Sequence, residues 1–560
     1  RTAGPTSHGT VRRATAIRRA AVNDGTTSIV ARGVCYHAAP PLFMALSGVS
    51  TQSVLPSART RAHWPSLDAA SVFAAAAALI VLRSLAYLLF EQFGFDSDQA
   101  INGLMAKHLS QGRAFPLFFY GQTYMLAVES WVAVPFFWIG GPTVTALRLS
   151  LLAWNLAFAS LLIIGLHRDD KLGWPIAIVP ALFFLAAPPS IAKQLIEAQG
   201  GIIEPFVYIA LLWFLRRRPI WFGVVLAIGF RNREFTMYAV PALIGIELLT
   251  GELTRSRARD WLISLVMFVA VWESISALMP FADLAGPGTR GQLLGGFSGS
   301  QIDNLLNRFN AQPGEMGGRV TSLVPRLLAW FVGGTQVETS FPVSDHRWLG
   351  WAAAALLLAI AARLLWLTTP PTGTWRDRQA VVRAVQLPLV RAPFAWYILG
   401  VGAVAVVTFM TAKPVLTGYS RYAILGLLIP VGATAALLAL EPRRVVRGGL
   451  SALVVAWAAL SVADNVTVLM SNIRQPPPHP IRTLTDGLIA RHVPAASAGY
   501  WEAYIATFVA QERVRVASTD FVRIREYQDF LADHIKDARR LDRDPCPGAD
   551  RIDRWYLCRP

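Results

Sequence analysis

Long apolar runs recur along this chain and limit the folds open to it. Twelve runs have the composition of membrane helices: 70–90, 124–140, 144–166, 172–188, 201–215, 219–230, 236–250, 261–281, 348–367, 394–412, 421–440 and 448–469. A helix needs about 20 predominantly apolar residues to cross a bilayer, and it satisfies its own backbone hydrogen bonds in lipid. Only 16% of the residues are charged, whereas an ordinary globular domain has about 25%. The sequence therefore predicts an α-helical polytopic membrane protein.

Basic residues concentrate in short connections between these runs. If the N-terminus is cytoplasmic and the run 124–140 lies along the outer surface without crossing, five basic connections face the cytoplasm: 167–171, 216–218, 251–260, 368–393 and 441–447. Lys and Arg collect in the cytoplasmic loops of membrane proteins. The charge pattern predicts eleven spans, a cytoplasmic N-terminus and an external C-terminus. It also accounts for the net charge of +17 without a nucleic-acid partner.

Composition divides the chain into four parts. We expect a disordered basic tail at 1–64, a transmembrane domain at 65–470, a proline-rich linker at 471–480 and a small external α/β domain at 481–560. The transmembrane domain has two longer outer loops, 91–143 with juxtamembrane helices and 282–347. Catalytic side chains are expected in these outward regions.

The C-terminal segment alternates short helical and strand-like patterns. The pattern predicts a helix at 481–491, a strand at 498–501 (AGYW), a helix at 503–511, a strand at 513–518 and a helix at 524–539. We expect this module to pack against the membrane part and to form one side of a site. Cys546 and Cys558 lie close together near its end, and an external location would permit a disulfide between them.

Two aspartates follow the first apolar run in the stretch FGFDSDQA at 93–100. The residues after it carry apolar side chains at helical spacing and end at Gly112, which predicts an amphipathic helix at the membrane surface. Asp98 or Ser97 would cap the N-terminus of this helix. A carboxylate there, beside Asp96 and a membrane-facing cleft, also suits proton transfer or the binding of a divalent cation. Both interpretations stand at this point.

Further polar side chains lie at the outward corners between spans. They are Arg231, Arg233 and Glu234 in FRNREF, Lys413, Tyr419, Arg421 and Tyr422 in TAKPVLTGYSRY, and Gln122 and Glu129 in the first outer loop. Charged residues at membrane depth often mark a functional cavity. An internal ion pair in FRNREF and an Arg421 that reaches to the interface are the structural alternatives. His108 lacks metal-ligand spacing such as HxxxH, which predicts a surface histidine.

The order of these features resembles the C-type (GT-C) membrane glycosyltransferases, which include protein O-mannosyltransferases and bacterial lipid A aminoarabinose transferases. The shared features are a cytoplasmic N-terminus, an acidic pair after the first span, a surface helix ending in glycine and a late span beginning SRYAILGLLIP. Bacterial members carry an Asp-Glu-Ala type motif in the first outer loop, which here reads Asp98-Gln99-Ala100. The likeness covers residues 70–470, and Gln99 in place of the second acid leaves Asp96 as its substitute.

This resemblance implies inverting transfer of a sugar from a polyprenyl-phosphate donor to a lipid, glycan or protein acceptor at the outer face of the cytoplasmic membrane. Asp98, assisted by Asp96, would be the general base. The donor phosphate would bind Arg231, Arg233, Lys413, Arg421, Tyr419 and Tyr422. Some members use a divalent metal ion and others do not, and here Asp96 and Asp98 would be its ligands. The secondary candidates are Gln122, Glu129 and Glu234.

Other functions compete with this interpretation. The chain has no GxSxG, Walker A or strand-borne GxGxxG sequence, which argues against a hydrolase elbow and a soluble nucleotide site. The main alternative is a transporter or flippase of lipid-linked sugars, although the long outer loops and the external tail place surface outside the bilayer rather than at its midplane. A noncatalytic scaffold would tolerate replacement of Asp96 and Asp98.

Overall fold

Helices form most of the chain that the structure describes. This computed structural model describes residues 68–294, 301–306, 313–334, 347–369, 378–412 and 420–559. Its α-helices are Ala69–Leu89, Ser97–Ser110, Val128–Gly140, Val144–Arg168, Trp174–Leu185, Pro189–Gln194, Glu204–Leu215, Pro219–Asn232, Ala239–Thr250, Arg255–Leu278, Gln301–Leu306, Pro313–Phe331, Arg347–Thr368, Arg378–Arg391, Pro393–Thr411, Leu428–Leu440, Arg444–Arg474, Pro480–Ala490, Tyr500–Val509 and Arg525–Asp533. Turns of 3-10 helix lie at Glu234–Tyr238, Met279–Phe281 and Ser420–Leu427. The predicted tail 1–64 and two predicted site residues, Lys413 and Tyr419, lie outside the described residues.

Seven helices of the described chain are long and apolar enough to cross a membrane, by length and composition. They are Ala69–Leu89, Val144–Arg168, Arg255–Phe281, Gly350–Thr368, Pro393–Thr411, Arg421–Leu440 and Arg444–Arg474. Shorter apolar helices are Val128–Gly140, Trp174–Leu185, Glu204–Leu215 and Pro219–Asn232. The predicted run 236–250 contains the 12-residue helix Ala239–Thr250. The predicted fold class, a helical multi-spanning membrane protein with a small C-terminal α/β domain, is confirmed.

A buried arginine holds the exit of the first span. Arg148 is 1% exposed and lies in the helix Val144–Arg168. Its Nη1 donates to the carbonyl oxygen of Tyr87 at 2.5 Å, and its Nη2 donates to the carbonyl oxygen of Phe93. The last carbonyls of a helix have no partner within that helix. Arg148 therefore stabilises the turn that leads from the first span into the acidic stretch at 96–98.

The helix Ser97–Ser110, called the loop helix below, begins with a carboxylate cap. Its N-cap is Asp96, whose Oδ1 accepts a hydrogen bond from the backbone N–H of Gln99 at 3.0 Å. The prediction that Asp98 or Ser97 caps the helix is wrong, because the helix already begins at Ser97. Asp98 lies in the first turn, where the helix dipole favours a negative charge. Its side chain is therefore not occupied by capping.

The loop helix is covered on both sides. Its residues from Gln99 to His108 are buried. The helix packs between Val128–Gly140 and the C-terminal helix Tyr500–Val509. A Cβ atom added to Gly103 would lie 2.6 Å from the ring of Phe508, so the small residue permits this close approach. The helix predicted after the acidic pair is present, and the C-terminal domain covers one of its faces.

The C-terminal domain, residues 480–559, is a mixed sheet with three helices. Its strands are β1 Ala495–Ala498, β2 Arg515–Ser518, β3 Arg539–Asp542, β4 Asp550–Ile552 and β5 Trp555–Cys558, in the order β2-β1-β3-β5-β4. β1 pairs in parallel with β2 and β3, and β5 pairs antiparallel with β3 and β4. A disulfide joins Cys546 to Cys558, which is the pairing that the sequence permitted.

The predicted elements of this domain need two corrections. The strand expected at 498–501 lies at Ala495–Ala498, because Gly499 is the N-cap of the next helix and Trp501 belongs to that helix. The helix expected at 524–539 ends at Asp533, and the strands that follow it were not predicted. The first shift matters for the site, because it puts Tyr500 and Trp501 in the first turn of a helix that contacts the loop helix.

Candidate active site

A cavity of about 730 Å³ lies between the loop helix, the segment 193–199 and the C-terminal domain. Its lining includes Asp96, Asp98, Gln199, Arg421, Tyr500 and Arg523. A smaller cavity of about 180 Å³ adjoins it and shares Asp98, Gln199, Arg421 and Arg523 with it. The larger volume falls in the range of about 300–1,000 Å³ that small-molecule sites occupy. We refer to the two as the large cavity and the small cavity.

Asp98 has one carboxylate oxygen engaged and one accessible. The hydroxyl of Tyr500 donates to its Oδ1 at 2.5 Å. Its Oδ2 lies 3.8 Å from Nη1 of Arg421, which is beyond hydrogen-bonding distance. The Asp98 side chain is 23% exposed. A phenol from the C-terminal domain thus orients the carboxylate while Oδ2 can still accept a proton.

Asp96 acts through hydrogen bonds that lead to Arg421. Its Oδ2 accepts from Nε2 of Gln199 at 2.7 Å, and Oε1 of the same Gln199 accepts from Nη1 of Arg421 at 3.0 Å. Burial, together with the neighbouring charge of Asp98, raises the pKa of Asp96 to about 6. Asp96 therefore lines the large cavity, caps the loop helix and orients the Gln199 amide that contacts Arg421.

Two guanidinium groups from distant parts of the sequence face the same space. Arg421 begins the late predicted span, and Arg523 follows β2 in the C-terminal domain. Nη1 of Arg523 donates to the carbonyl oxygen of Gly121 at 3.1 Å, and its guanidinium lies 4.6 Å from the centroid of the Phe521 ring. Gly121 has a φ of +74°, a turn conformation that favours glycine. The segment 91–143 and the C-terminal domain together hold a positive charge at the cavity.

The small cavity brings together Asp98 and four other residues predicted from sequence: Gln122, Arg233, Arg421 and Tyr422. The guanidinium of Arg233 lies 5.8 Å from the ring centroid of Tyr422, within the range of a cation–π contact. Nε of Arg233 is 3.8 Å from Oε2 of Glu234. The internal ion pair considered for FRNREF is therefore present, and one of its members also lines a cavity.

Three other predicted residues, Arg231, Glu129 and Glu234, line neither cavity. The guanidinium of Arg231 stacks on Trp272 at 3.6 Å from the ring centroid. Glu129 is 1% exposed and accepts hydrogen bonds from the backbone N–H groups at 200–201, at 2.9 and 2.8 Å. These contacts bind Glu129 into the wall behind the small cavity.

The two aspartates offer a poor ligand set for a divalent cation. Both oxygens of Asp96 accept hydrogen bonds. Asp98 accepts one from Tyr500 and has the positive charge of Arg421 beside its other oxygen. Ca²⁺ and Mg²⁺ require several oxygen ligands that are free to coordinate. The donors present around these carboxylates do not fit a bound metal ion, and we assign none to the reaction.

His108 belongs to a charged cluster that joins the loop helix to the C-terminal domain. Nε2 of His108 lies 3.1 Å from Glu512, Nζ of Lys107 lies 2.5 Å from the same carboxylate, and Arg113 bridges Glu512 and Glu526 at 2.9 and 2.7 Å. Burial favours a higher pKa for Glu512, but hydrogen bonds and charges from His108 and Lys107 hold that pKa well below its usual range. The prediction of a surface histidine is wrong, since His108 is fully buried.

Several residues of the large cavity were not predicted from sequence. Lys193 and Glu197 form an ion pair at 3.3 Å on its wall, next to Gln199. Tyr500 and Arg523 come from the C-terminal domain, and Tyr500 is 402 residues from the aspartate that it contacts. The aromatic density of YWEAY in an otherwise polar tail was the only local signal, and no spacing rule connects it to Asp98.

Fold and site together define a multi-spanning helical membrane protein with a charged cavity closed by a small α/β domain. No protein-family model matches the chain, and no curated protein matches it by sequence.

Among solved structures, ArnT from Cupriavidus metallidurans matches twice, each time at 13% identity. The form bound to undecaprenyl phosphate has a TM-score of 0.36 and covers 84% of this chain and 88% of that chain. The apo form has a TM-score of 0.41 and covers 87% and 96%. ArnT is a GT-C aminoarabinose transferase, the group that the first-loop motif resembles. At these TM-scores the likeness is distant and assigns neither a family nor a function to the chain.

Proposed function

We propose that this chain is an inverting membrane glycosyltransferase that transfers a sugar from a polyprenyl-phosphate donor to an acceptor hydroxyl at the outer face of the cytoplasmic membrane. The observation that carries the proposal is the Asp98 carboxylate, held by Tyr500 in a cavity that also contains Arg421 and Arg523. A base beside two cations supports removal of a proton next to an anionic leaving group.

The carboxylate geometry supports Asp98 as the general base. Tyr500 engages Oδ1, so the acceptor O–H proton passes to Oδ2. The acceptor oxygen then attacks the anomeric carbon from the face opposite the phosphate. The bond between that carbon and the phosphate oxygen breaks, and its electron pair leaves with the lipid phosphate. A single displacement of this kind inverts the anomeric centre.

The cationic side chains support binding of the departing phosphate. Arg421 lines both cavities, Arg523 approaches from the C-terminal domain, and Arg233 lines the small cavity beside Tyr422. The planar guanidinium group suits two-point contact with phosphate oxygens. Arg231 stacks on Trp272 outside both cavities and is left out of this assignment. The phosphate roles predicted for Lys413 and Tyr419 stay predictions.

Asp96 is assigned a positioning role rather than a second base. Both of its oxygens are engaged, and Gln199 links it to Arg421. A charged Asp96 would repel the negative charge of Asp98 beside it. The positive charge of Arg421 reduces that repulsion. The acidic pair thus divides into one carboxylate that reacts and one that orders the cation.

The orientation proposed from loop charges places this site outside the cytoplasm. The C-terminal domain closes the cavity over the loop helix. In the proposed eleven-span topology, the loop helix and the C-terminal domain lie on the same side of the membrane. An accessibility scan tests this point directly: a cysteine introduced at 140–143 should react with a membrane-impermeant reagent from outside. Labelling only from the cytoplasm would reverse the topology.

Transfer itself is tested with purified full-length protein, radiolabelled polyprenyl-phosphate sugars and a cell-envelope extract. Asp98→Asn should lower the rate about 100- to 10,000-fold, the usual contribution of a general base. Asp550→Asn is the matched control, because Asp550 is an exposed carboxylate of the C-terminal domain that pairs with Arg491. Equal transfer by Asp98→Asn and wild type would remove Asp98 from the mechanism. Movement of labelled lipid across a vesicle membrane without transfer would favour the flippase alternative.

A further inference from the structure

A third cavity, of about 350 Å³, lies beside the large cavity and is not used by the chemistry proposed above. It is formed where the end of the first span, the proline-rich linker and the C-terminal domain meet. Phe95 and Trp501 line both this cavity and the large cavity. The third cavity therefore adjoins the proposed reaction site at these two side chains.

Trp501, which lines both cavities, is unusual for the exposure of its side chain. Its side chain is 58% exposed, although the neighbouring Tyr500 is 7% exposed. The Trp501 ring packs edge-to-face on the Tyr500 ring, with centroids 5.0 Å apart and an interplanar angle of 88°. Tyr500 in turn holds Asp98. A large flat apolar surface is thus presented to the cavity, one residue away from the group that orients the proposed base.

Ionisable side chains surround this aromatic surface. Glu91 at the exit of the first span accepts from Nε of Arg482 at 2.9 Å and lies 3.1 Å from Nε2 of His479. Arg543 donates to Glu502 at 2.9 Å. The lining also includes Arg554 and the apolar side chains Ile481 and Ile505. The third cavity therefore has an apolar floor and a polar rim.

The indole of Trp555 holds the two arginines of this rim. The guanidinium of Arg543 lies 4.4 Å from the Trp555 ring centroid, and that of Arg554 lies 4.6 Å from it. Trp555 itself is 1% exposed, so both cations stack on a fixed ring. Their donors are therefore presented in a restricted geometry, which lowers the entropy lost when a ligand binds.

We propose that the third cavity is an acceptor subsite for a saccharide, with Trp501 as its stacking surface. This inference rests on the proposed function and names the class of acceptor. One face of a sugar ring is covered by C–H groups and stacks on an aromatic ring, while its hydroxyl groups bind carboxylates and guanidinium groups at the rim. Glu91, Glu502, Arg543 and His479 supply those partners. The acceptor is therefore a glycan or the glycan portion of a larger molecule.

The polar rim favours a saccharide over a lipid chain as the occupant. Tryptophan also anchors proteins at membrane interfaces, where its surroundings are acyl chains and headgroups. Here five ionisable side chains, Glu91, His479, Glu502, Arg543 and Arg554, line the same cavity. Burying them against an acyl chain would leave charged groups without water. Hydroxyl-rich ligands satisfy the same groups.

Binding is tested separately from transfer, with the full-length protein in nanodiscs rather than in a sugar-based detergent whose headgroups would compete. The probes are short oligosaccharides of mannose, glucose and arabinose, and binding is measured by saturation-transfer difference NMR titration. Trp501→Ala should weaken binding of the best probe at least about tenfold, and Trp501→Phe should keep part of it. Trp221→Ala is the matched control, since Trp221 is 59% exposed on another helix, and it should bind like wild type.

The outcomes separate this inference from the proposed function. Asp98→Asn should keep saccharide binding and lose transfer. Saccharide binding that depends on Trp501 in a protein that transfers no sugar would reject the glycosyltransferase and keep the saccharide site. No binding by any of the three probes, or equal binding by Trp501→Ala and wild type, overturns the inference. A Trp501→Ala change that alters only association with phospholipid vesicles assigns Trp501 to the membrane and also overturns it.

Discussion

Replacement of Tyr500 by phenylalanine isolates the contact between the C-terminal domain and the proposed base. The substitution removes one hydroxyl and keeps the ring, which packs against Trp501, Tyr504 and Phe521 with centroid separations of 5.0, 5.4 and 5.7 Å. The lost interaction is the 2.5 Å hydrogen bond to Asp98 Oδ1. Tyr500→Phe therefore tests orientation of the carboxylate with little change in packing.

The size of the effect follows from the kind of hydrogen bond that is lost. A hydrogen bond to a charged group contributes about 1.5–3 kcal/mol, and the lower end applies here because the Asp98 side chain is 23% exposed. About 1.5 kcal/mol corresponds to a roughly tenfold decrease in kcat/KM.

The assay is the kcat/KM of sugar transfer by purified protein together with its melting temperature, with Tyr556→Phe as the matched control. Tyr556 lies in β5 of the same domain and lines none of the three cavities. A structural role alone would lower the melting temperature, whereas loss of orientation should lower kcat/KM with little change in the melting temperature. An unchanged kcat/KM for Tyr500→Phe would refute the positioning role.

Three further changes test the remaining assignments. Because the folded pKa of Asp96 is raised to about 6, its protonation adds stability at low pH that is lost as the pH rises through about 6. The melting temperature of wild type relative to Asp96→Asn, which keeps a capping side chain, should therefore fall between about pH 4 and pH 7, by the equivalent of at most about 3 kcal/mol. A difference that stays constant with pH would contradict this. Arg421→Lys should raise the KM for the donor about tenfold through loss of two-point contact, whereas Arg231→Lys should not, and a larger effect of Arg231→Lys would reverse the assignment. Replacing Cys546 and Cys558 by serine should destabilise the C-terminal domain by about 3 kcal/mol, as expected for a short closed loop, and unaltered protease resistance would show that the crosslink is dispensable.

Local patterns in the sequence were sufficient for the apolar helices, but not for Pro313–Phe331 and Arg378–Arg391, which lie outside the predicted runs. Each apolar run is long enough to satisfy its own backbone hydrogen bonds, so its identity as a helix does not depend on its neighbours. The position of the acidic pair after the first span followed in the same way, as did the proximity of Cys546 and Cys558. These features depend on residues close together in the chain.

The site depended on contacts that sequence spacing does not encode. Whether Asp96 or Asp98 caps the loop helix is decided by a shift of the helix start, and the prediction chose wrongly. Burial of His108 and orientation of Asp98 by Tyr500 both arise because the C-terminal domain packs over the loop helix, about 400 residues away in the chain. Sequence alone determined where the apolar helices form and where acids cluster, because these are short-range properties. Only tertiary packing decided which carboxylate is left accessible, because a partner from another domain engages one oxygen and leaves the other free to react.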